Sequence, residues 1–340
     1  MNAYLEPLPR LPEAGEDPAD LLPLAGGPLV FDRVVPARRD GAAARREPPR
    51  ALSRVEAGGR AFLHELSRPR PGIAGLDWSR PRIMAILNVT PDSFSDGGDR
   101  FDEEQAIAAG LTLAREGADI VDVGGESTRP RSDPVSEAEE LRRVLPVVQA
   151  LVAAGVRVSI DTRRAAVIEA AAAAGAVLIN DVTALRFEPR SLAAAAATGL
   201  PVVLMHMQGE PKTMQEAPHY DDVVLDVFDF LQTRVEACEA AGIPRARVLV
   251  DPGIGFGKTV RHNLELLRRL ALLHGLGCPL LVGLSRKGFI GRLSAGEPPK
   301  ERLAGTLAGC LAAVARGAQM LRVHDVRELK QALAVWTAIA

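Results

Sequence analysis

The sequence predicts an α/β fold, a closed (β/α)8 barrel that carries an irregular N-terminal extension. From Pro81 onward, short apolar segments alternate with longer amphipathic ones, a pattern typical of strand–helix units around a parallel sheet. We count eight such units, and residues 81–340 supply about 32 residues for each, close to the roughly 250 that such a barrel takes. An open doubly wound sheet shows the same alternation and remains the alternative.

Each predicted strand is short and rich in Val, Ile and Leu. In chain order the strands are Ile83–Leu87, Asp119–Val123, Arg157–Ile160, Val177–Ile179, Val202–Met205, Val248–Val250, Leu280–Gly283 and Met320–Val323. Many of the helices predicted between them follow Asp, Ser or Pro, which favour helix starts. They include Glu103–Glu116, Ser136–Ala153, Tyr220–Ala241, Asn263–Leu273, Lys300–Arg316 and Val326–Thr337.

Residues 1–80 differ from the rest in composition. They hold 11 of the 25 prolines, many alternating charges and little periodic apolar pattern. We therefore predict an extension over 1–80 and a catalytic domain over 81–340. Within the extension, Gly26–Asp32 suggests a short strand and Val55–Leu66 a short helix.

The composition excludes several classes of protein. Hydrophobic residues make up 47% and charged residues 25% of the chain, and the formal net charge is -2. These values are typical of an ordinary globular protein and give nucleic acid no electrostatic advantage as a partner.

The three cysteines also narrow the class of protein. Cys238, Cys278 and Cys310 are far apart and form no CxxC pair, which predicts core residues in a reducing compartment. Neither a basic-then-apolar leader nor a run of about 18 uncharged apolar residues occurs. We expect a cytoplasmic enzyme or binding protein that does not associate with a membrane.

Polar residues follow all eight predicted strands, at the end of the barrel where active sites of this architecture lie. They are Asn88, Glu126 to Arg129, Asp161, Asn180 with Asp181, His206, Asp251, Ser285 to Lys287, and Arg322 with His324. Capping of the following helices is the alternative explanation, because Asp, Asn and Ser commonly end strands.

Lysine is scarce, with five lysines against 36 arginines. Lys287, directly after the seventh strand, therefore suggests a site that needs a compact ammonium donor, although chance placement is the alternative. The loops after strands seven and eight often bind phosphate in such barrels, and here they carry Arg286, Lys287, Arg322 and His324. We expect an anionic ligand, such as a phosphorylated one.

Three predicted loops indicate how a ligand would be enclosed. Residues 90–98 and 126–134 are polar segments with Gly or Pro, and we expect them to close over a substrate, with a plain solvated connection as the alternative. Residues 251–259 resemble a nucleotide-binding loop but have the wrong glycine spacing for one. They are expected to form a tight turn beside a flat ligand.

The other histidines and the absence of nucleophile motifs restrict the reactions that the sequence supports. His64, His219, His262 and His274 have no ligand cluster around them and are expected at the surface or as caps. Neither a G-x-S-x-G elbow nor a cysteine with a neighbouring base occurs, so covalent acyl transfer has no support. A hard cation held by Asn88 and ligand phosphates is compatible with the sequence.

Several motifs together resemble dihydropteroate synthase over about residues 81–330. They are the segments 86–98, 124–130, 159–162, 179–181, 251–257, 285–287 and 322–325. The resemblance implies a (β/α)8 barrel that joins 6-hydroxymethyl-7,8-dihydropterin diphosphate to 4-aminobenzoate, giving 7,8-dihydropteroate and diphosphate. It also implies Mg2+ as cofactor and a homodimer.

The resemblance implies a role for each site residue. Asp251, Asn180 and Asp161 would accept hydrogen bonds from the pterin edge, Phe256 would line the pterin pocket, and Lys287 would donate to a pterin acceptor. The diphosphate would be held by Arg322, His324 and Thr128, with Asn88 reaching the metal ion. The aminobenzoate pocket would be shaped by Phe94, Arg129, Pro130 and Ser285.

Two other functions remain open on the same scaffold, a pterin-binding methyltransferase and a noncatalytic pterin-binding paralogue. Neither function needs the full set of diphosphate-binding residues, which is complete in this sequence. An apolar face on the last helices is where a dimer contact is expected, with ordinary core as the alternative. Its residues are Leu303, Leu307, Leu311, Leu329 and Trp336.

Overall fold

The computed structural model describes residues 3–40, 43–89, 99–127, 135–209 and 213–339. The N-terminal extension has more regular structure than its sequence pattern predicts, because it forms two antiparallel sheets. Its elements are β1 (Ala3–Pro7), β2 (Leu22–Pro23), β3 (Val30–Phe31), β4 (Arg33–Asp40), β5 (Ala43–Arg46), β6 (Arg50–Ala51) and helix α1 (Arg60–Ser67). One sheet has the order β1, β4, β5 with β6 also paired to β4, and β2 pairs with β3 in a separate sheet. The predicted strand and helix are both present but shorter, as β3 and α1.

The extension packs against the outside of the barrel through a small apolar core and buried charges. Leu5, Phe31, Val34 and Leu66 form this core together with Ala271 of the barrel domain. Beside it, Arg269, Glu6 and Asp222 form a buried ion-pair cluster, in which the Arg269 Nε lies 3.0 Å from the Glu6 Oε2 and its Nη1 lies 3.0 Å from the Asp222 Oδ2. The extension is therefore anchored to the barrel by specific contacts.

The remaining strands form the predicted (β/α)8 barrel. Within the described residues, eight parallel strands make one sheet in the order β12-β11-β10-β9-β8-β7-β14-β13. These strands are β7 (Arg82–Asn88), β8 (Ile120–Gly124), β9 (Val158–Asp161), β10 (Leu178–Asp181), β11 (Val202–Met205), β12 (Val248–Asp251), β13 (Leu281–Gly283) and β14 (Met320–Val323). Each overlaps a predicted strand, and their bounds differ by at most two residues.

The barrel closes weakly between β12 and β13. One parallel bridge joins Val250 to Leu280, and the Val250 N–H donates a hydrogen bond to the Pro279 carbonyl at 3.0 Å. By contrast, β11 and β12 pair at four successive positions. The sheet is therefore a nearly closed barrel with one weak seam.

Helices cover the outer face of the sheet. They are α2 (Asp99–Glu116), α3 (Glu137–Ala153), α4 (Ala165–Ala173), α5 (Ser191–Thr198), α6 (Val223–Ala240), α7 (Val260–Arg268), α8 (Gly288–Leu293), α9 (Leu303–Val314) and α10 (Val326–Ile339). The segment predicted as one helix over Asn263–Leu273 is divided into α7 and a 3-10 helix over Leu270–Leu276. The division falls at Arg269, whose side chain is held by Glu6 and Asp222.

Two expectations about single residues were wrong. His274 was expected at the surface or as a cap, but it is fully buried between the extension and the barrel. Leu329 was expected on a dimer face, but it is fully buried in the core, and Leu307 and Leu311 pack partly against that core. Both helices at this end of the chain use their apolar faces to cover the sheet, which is the core alternative.

The cysteines and three of the histidines lie where they were expected. Cys238, Cys278 and Cys310 are free and buried. His262 caps α7 in a reciprocal pair with Thr259, while His64 and His219 are largely exposed. In the part of the chain that the structure describes, we find no helix long and apolar enough to span a membrane.

Candidate active site

The barrel interior changes from apolar to polar within two residues along its strands. Because alternate side chains of a strand point to the same face, Leu178 and Asn180, Leu249 and Asp251, and Met320 and Arg322 project inward in pairs. The first member of each pair belongs to an apolar cluster at the amino ends of the strands. The second members lie above it, toward the carboxyl ends. This upper layer is the polar floor of the candidate site.

Four side chains of this layer form one hydrogen-bonded network. Arg322 donates from Nε to the Asp122 Oδ2 at 2.6 Å and from Nη2 to the Asp161 Oδ2 at 2.7 Å. Asn180 donates from Nδ2 to the same Asp122 oxygen at 2.9 Å. Asp122 is fully buried, and its Oδ1 has no partner among the described residues. Asp122 therefore fixes the orientation of both Arg322 and Asn180.

The charges in this layer are unbalanced, because Asp122 and Asp161 share one guanidinium group. Burial and the neighbouring carboxylates raise the pKa of Asp161, while the nearby Arg322 lowers it. The Nη1 atom of Arg322 makes no hydrogen bond to the described residues, so it is the guanidinium nitrogen left for a ligand oxygen.

A small pocket opens above this layer, with Asp251 and Lys287 in its wall. Asp251 accepts a hydrogen bond at Oδ1 from the Gly253 N–H at 2.7 Å, and burial raises its pKa to about 6. Lys287 lies with its Nζ 4.1 Å from the centre of the Phe256 ring, and burial lowers its pKa to about 8. Asn180 and Arg322 line the same pocket, so a ligand meets acceptors and donors together.

Apolar groups form the walls of this pocket. Ile86, Met205, Ile254 and Phe256 contribute them. Flat apolar walls with a few polar groups at fixed positions are what a small planar heterocycle requires.

The loop after β12 approaches its neighbours so closely that it needs glycine. A Cβ at Gly253 would lie 1.9 Å from the His206 carbonyl oxygen, and one at Gly257 would lie 2.3 Å from the Gln208 carbonyl oxygen. Both glycines have a left-handed backbone, with φ of +66° and +60°. The loop is the tight turn expected from the sequence, and it places Phe256 in the pocket wall.

Lys258 holds this loop from below. Its side chain is 1% exposed, and its Nζ lies 2.9 Å from the His206 Nδ1 and donates to the carbonyls of Phe256 at 3.0 Å and His206 at 3.3 Å. Burial lowers the pKa of Lys258 well below its usual value and that of His206 to about 2. A neutral imidazole is thus an acceptor for this lysine.

The loops after β13 and β14 are tied together. Ser285 Oγ lies 2.9 Å from the His324 Nδ1 and accepts the His324 backbone N–H at 3.2 Å. Arg286, expected to be part of a phosphate site, forms an ion pair with Asp325 instead. Its charge is therefore largely compensated, and Lys287 is the cation of this loop that reaches the pocket.

The structure brings most of the predicted site residues to one end of the barrel. Those at or just after the carboxyl ends of strands are Asn88, Asp161, Asn180, Asp251, Phe256, Ser285, Lys287, Arg322 and His324. Phe94, Thr128, Arg129 and Pro130 lie outside the described residues, as do residues 90–98 and 128–134 of the two loops expected to close.

Sequence reasoning missed two residues of this site. Asp122 lies within β8 and not after it, so a search at strand ends passes over it; the period-two pattern of β8 was the available signal. Lys258 is one of the five lysines, but its sequence neighbours do not show that it is buried.

Comparison with known proteins agrees with this geometry. The family model "Pterin binding enzyme" matches residues 84–324. The dihydropteroate synthase of Escherichia coli K12 is 52% identical over 261 residues, which are 76% of this chain and 92% of that protein. The chain belongs to the dihydropteroate synthase family. Membership of this family makes it a transferase.

Solved structures of this family have the same barrel. A dihydropteroate synthase of Xanthomonas albilineans with 4-aminobenzoic acid matches with a TM-score of 0.74 and 54% identity over 78% of this chain and 94% of that one. Another structure from this organism, in complex with 7,8-dihydropteroate, matches with a TM-score of 0.72 and 51% identity over 80% and 98% of the two chains.

Proposed function

We propose that this member of the dihydropteroate synthase family uses the polar pocket at the carboxyl ends of its strands to join 6-hydroxymethyl-7,8-dihydropterin diphosphate to 4-aminobenzoate. The products are 7,8-dihydropteroate and diphosphate. The observation that carries the proposal is the convergence of Asp251, Asn180 and Lys287 around one pocket with apolar walls.

Asp251 and Asn180 would recognise the pterin. The aminopyrimidinone edge of a pterin presents adjacent N–H donors, and an ionised carboxylate accepts such donors in pairs. Asp251 uses Oδ1 for the Gly253 N–H, which leaves capacity on both oxygens for the ligand. Phe256 would pack against the ring, and Lys287 beside it would donate to a ring acceptor. Asp161 would complete the polar edge.

Arg322 and His324 would hold the diphosphate, together with Thr128. Arg322 is fixed by Asp122 and Asp161 and has Nη1 available, so it is preorganised to bind an oxygen of the leaving group. Ser285 orients His324 through the contact to Nδ1. As the C–O bond breaks, its electron pair passes to the diphosphate. These cationic and donor groups would stabilise the negative charge that develops there.

Magnesium fits the residues present. Asn88 ends β7 beside Gly124 of β8, and its side chain makes no hydrogen bond to the described residues, so its oxygen is available to a hard cation that also takes ligand phosphates. The described residues hold no cluster of three or more His, Cys, Asp or Glu that would bind a metal by itself. A bound Mg2+ would stabilise negative charge on the leaving diphosphate.

The amine nitrogen of 4-aminobenzoate would then attack the pterin methylene carbon with its lone pair and lose a proton. No strong protein base is needed, because an arylammonium is far more acidic than an alkylammonium and gives up its proton to water at neutral pH. Ser285, Phe94, Arg129 and Pro130 are proposed to shape the aminobenzoate pocket.

The assembly and location are part of the same proposal. We propose a homodimer in the cytoplasm, with residues 1–80 as an anchored extension and 81–340 as the catalytic domain. Val335 and Ile339 on α10 are large exposed hydrophobic residues and are the side chains we would test in the dimer contact. Sedimentation equilibrium at several protein concentrations measures the assembly, and a monomer at all of them would contradict the dimer.

Product formation tests the reaction. The purified chain is incubated with the pterin diphosphate, Mg2+ and 4-aminobenzoate, and dihydropteroate and diphosphate are both measured. We expect dihydropteroate only when both substrates are present. Tight pterin binding without product would contradict the proposal and favour a noncatalytic paralogue or a methyltransferase.

A further inference from the structure

A large cavity lies at the opposite end of the barrel from the active site, where the extension meets the amino ends of the strands. Its volume is about 560 Å³, within the range of roughly 300–1,000 Å³ that is usual for ligand sites. The extension contributes Leu11, Leu24 and Leu29, and the barrel domain contributes Val314 and Trp336. The relatives described above cover about three quarters of this chain, so they do not match all of it.

Aromatic and aliphatic groups form most of this cavity. Trp78 and Trp336, the only two tryptophans of the chain, both line it. Each is partly exposed, as expected for a wall that solvent or a ligand can reach. Because indole rings offer broad flat surfaces, they favour an apolar, planar ligand.

The charged and polar groups of the cavity favour an anion. Arg70 and Arg80 line it, and its lining contains no acidic residue, although Arg80 forms an ion pair with Asp119, which lies outside the lining. Arg70 is 7% exposed and donates to the carbonyls of Arg68, Glu65 and His274, while its Nε has no partner among the described residues. Its charge is therefore not neutralised by a carboxylate.

Two further groups offer hydrogen-bond donors. Gln319 accepts the Leu280 N–H at Oε1, at 2.8 Å, which fixes its amide and leaves Nε2 without a partner in the described structure. The indole N–H of Trp336 likewise has no partner there. Hydrogen-bond donors near Arg70, whose charge no carboxylate of the described residues neutralises, are complementary to a carboxylate or a similar acidic group.

We propose that this cavity binds a small aromatic carboxylate or a chemically similar organic anion. The ring system lies between the tryptophans and the leucines of the extension, and the acidic group lies toward Arg80 and Gln319. The site exists only where the extension closes over the barrel, and it is separate from the pterin pocket.

Tryptophan fluorescence tests this proposal directly, because the pterin pocket contains no tryptophan. The probe is biphenyl-4-carboxylate, and biphenyl-4-methanol is its neutral match. We expect a saturable fluorescence change with the acid, affinity about tenfold weaker for the alcohol, and no displacement by 6-hydroxymethyl-7,8-dihydropterin, which is the ligand of the pterin pocket. Absence of a saturable change, equal affinity for the alcohol, or displacement by the pterin would overturn the proposal.

Substitutions at two arginines distinguish binding in this cavity from nonspecific binding to the protein surface. Arg80→Gln removes a largely exposed cation of the cavity, and we expect about tenfold weaker binding of the acid. Arg80→Lys keeps the charge and should stay within about threefold of the natural chain. Arg157→Gln, in the neighbouring groove, is the matched control and should have no effect. If Arg80→Gln and Arg157→Gln weaken binding of the acid equally, or if neither weakens it, the proposal that this cavity is the binding site is overturned.

Oligomerisation provides the last check. If a second copy of the chain fills the cavity, the fluorescence will change with protein concentration alone and in step with the sedimentation coefficient. That result would also overturn the proposal, whereas fluorescence independent of protein concentration supports it.

Discussion

At the scale of single residues, Asp251 links the buried position of the site to its chemistry. Burial raises its pKa to about 6, and only the ionised carboxylate accepts both pterin donors. A proton therefore competes with the ligand below this pH. We predict that pterin affinity falls about tenfold per pH unit below pH 6 and levels off above it. Calorimetric titration between pH 5 and 7 measures this, and a flat profile would contradict it.

Lys258 is a second single residue on which the site depends, because its side chain holds the loop that carries Phe256. In Lys258→Met, the His206 ring and two carbonyls lose their donor. We predict a KM for the pterin diphosphate raised about tenfold, with kcat changed less than about threefold. Lys300→Met, at an exposed lysine, is the control. A fall in kcat with unchanged KM would argue against a positioning role.

These two residues also show where sequence reasoning succeeds and fails. Asp251 stands directly after an apolar run, so both the strand pattern and the family motif identify it. Asp122 and Lys258 are defined by what surrounds them in space. The neighbours of Asp122 come from β9, β10 and β14, and the His206 partner of Lys258 comes from the loop after β11. The local sequence shows none of these contacts.

At the scale of elements, the extension depends on Arg269. This residue is 3% exposed and pairs with Glu6 of β1 and Asp222 at the start of α6. Arg269→Ala leaves Asp222 without its cationic partner and Glu6 with Arg46 alone, and we predict a loss of about 3 kcal/mol in the free energy of unfolding. Arg268→Ala, at the exposed neighbouring arginine, should change it by less than about 0.5 kcal/mol.

Urea unfolding of both variants measures these two free energies. Equal stability of Arg269→Ala and the natural chain would show that the cluster does not anchor the extension.

Elements with a strong apolar pattern were predicted well, and those whose structure depends on long-range contacts were not. All eight barrel strands carry Val, Ile and Leu in short runs and were found near their observed positions. β4 was missed because its apolar segment is short, contains Pro36 and has charged residues on both sides, although Val34, Val35 and Ala37 are buried. Helices α4 and α5 are so rich in alanine that they lack an apolar periodicity.

At the scale of the whole molecule, the seam between β12 and β13 is the weakest part of the barrel. Among the described residues, a single β-bridge, between Val250 and Leu280, joins these strands. We predict that backbone amides of β13 exchange with deuterium at least about tenfold faster than those of β11, which is paired on both sides. Hydrogen exchange read by mass spectrometry measures this. Uniform protection around the barrel would contradict the weak seam.

The fold as a whole follows from the sequence because strand and helix signals recur at regular spacing. The position of the active site then follows from the architecture, since the carboxyl ends of parallel strands converge. The cavity beneath the barrel does not follow in this way. It depends on how residues of the extension pack against the ends of β7 and β14 and against α10, which a local pattern cannot encode.

The central claim is that Asp251 at the carboxyl end of the barrel binds the pterin. Calorimetry of 6-hydroxymethyl-7,8-dihydropterin with the natural chain and with Asp251→Asn tests it most directly, with Glu169→Gln, at an exposed carboxylate, as the control. In Asp251→Asn an amide donor faces the pterin donors, so we predict affinity about 100-fold weaker and no change in the control. Equal affinity of Asp251→Asn and the natural chain would contradict the account.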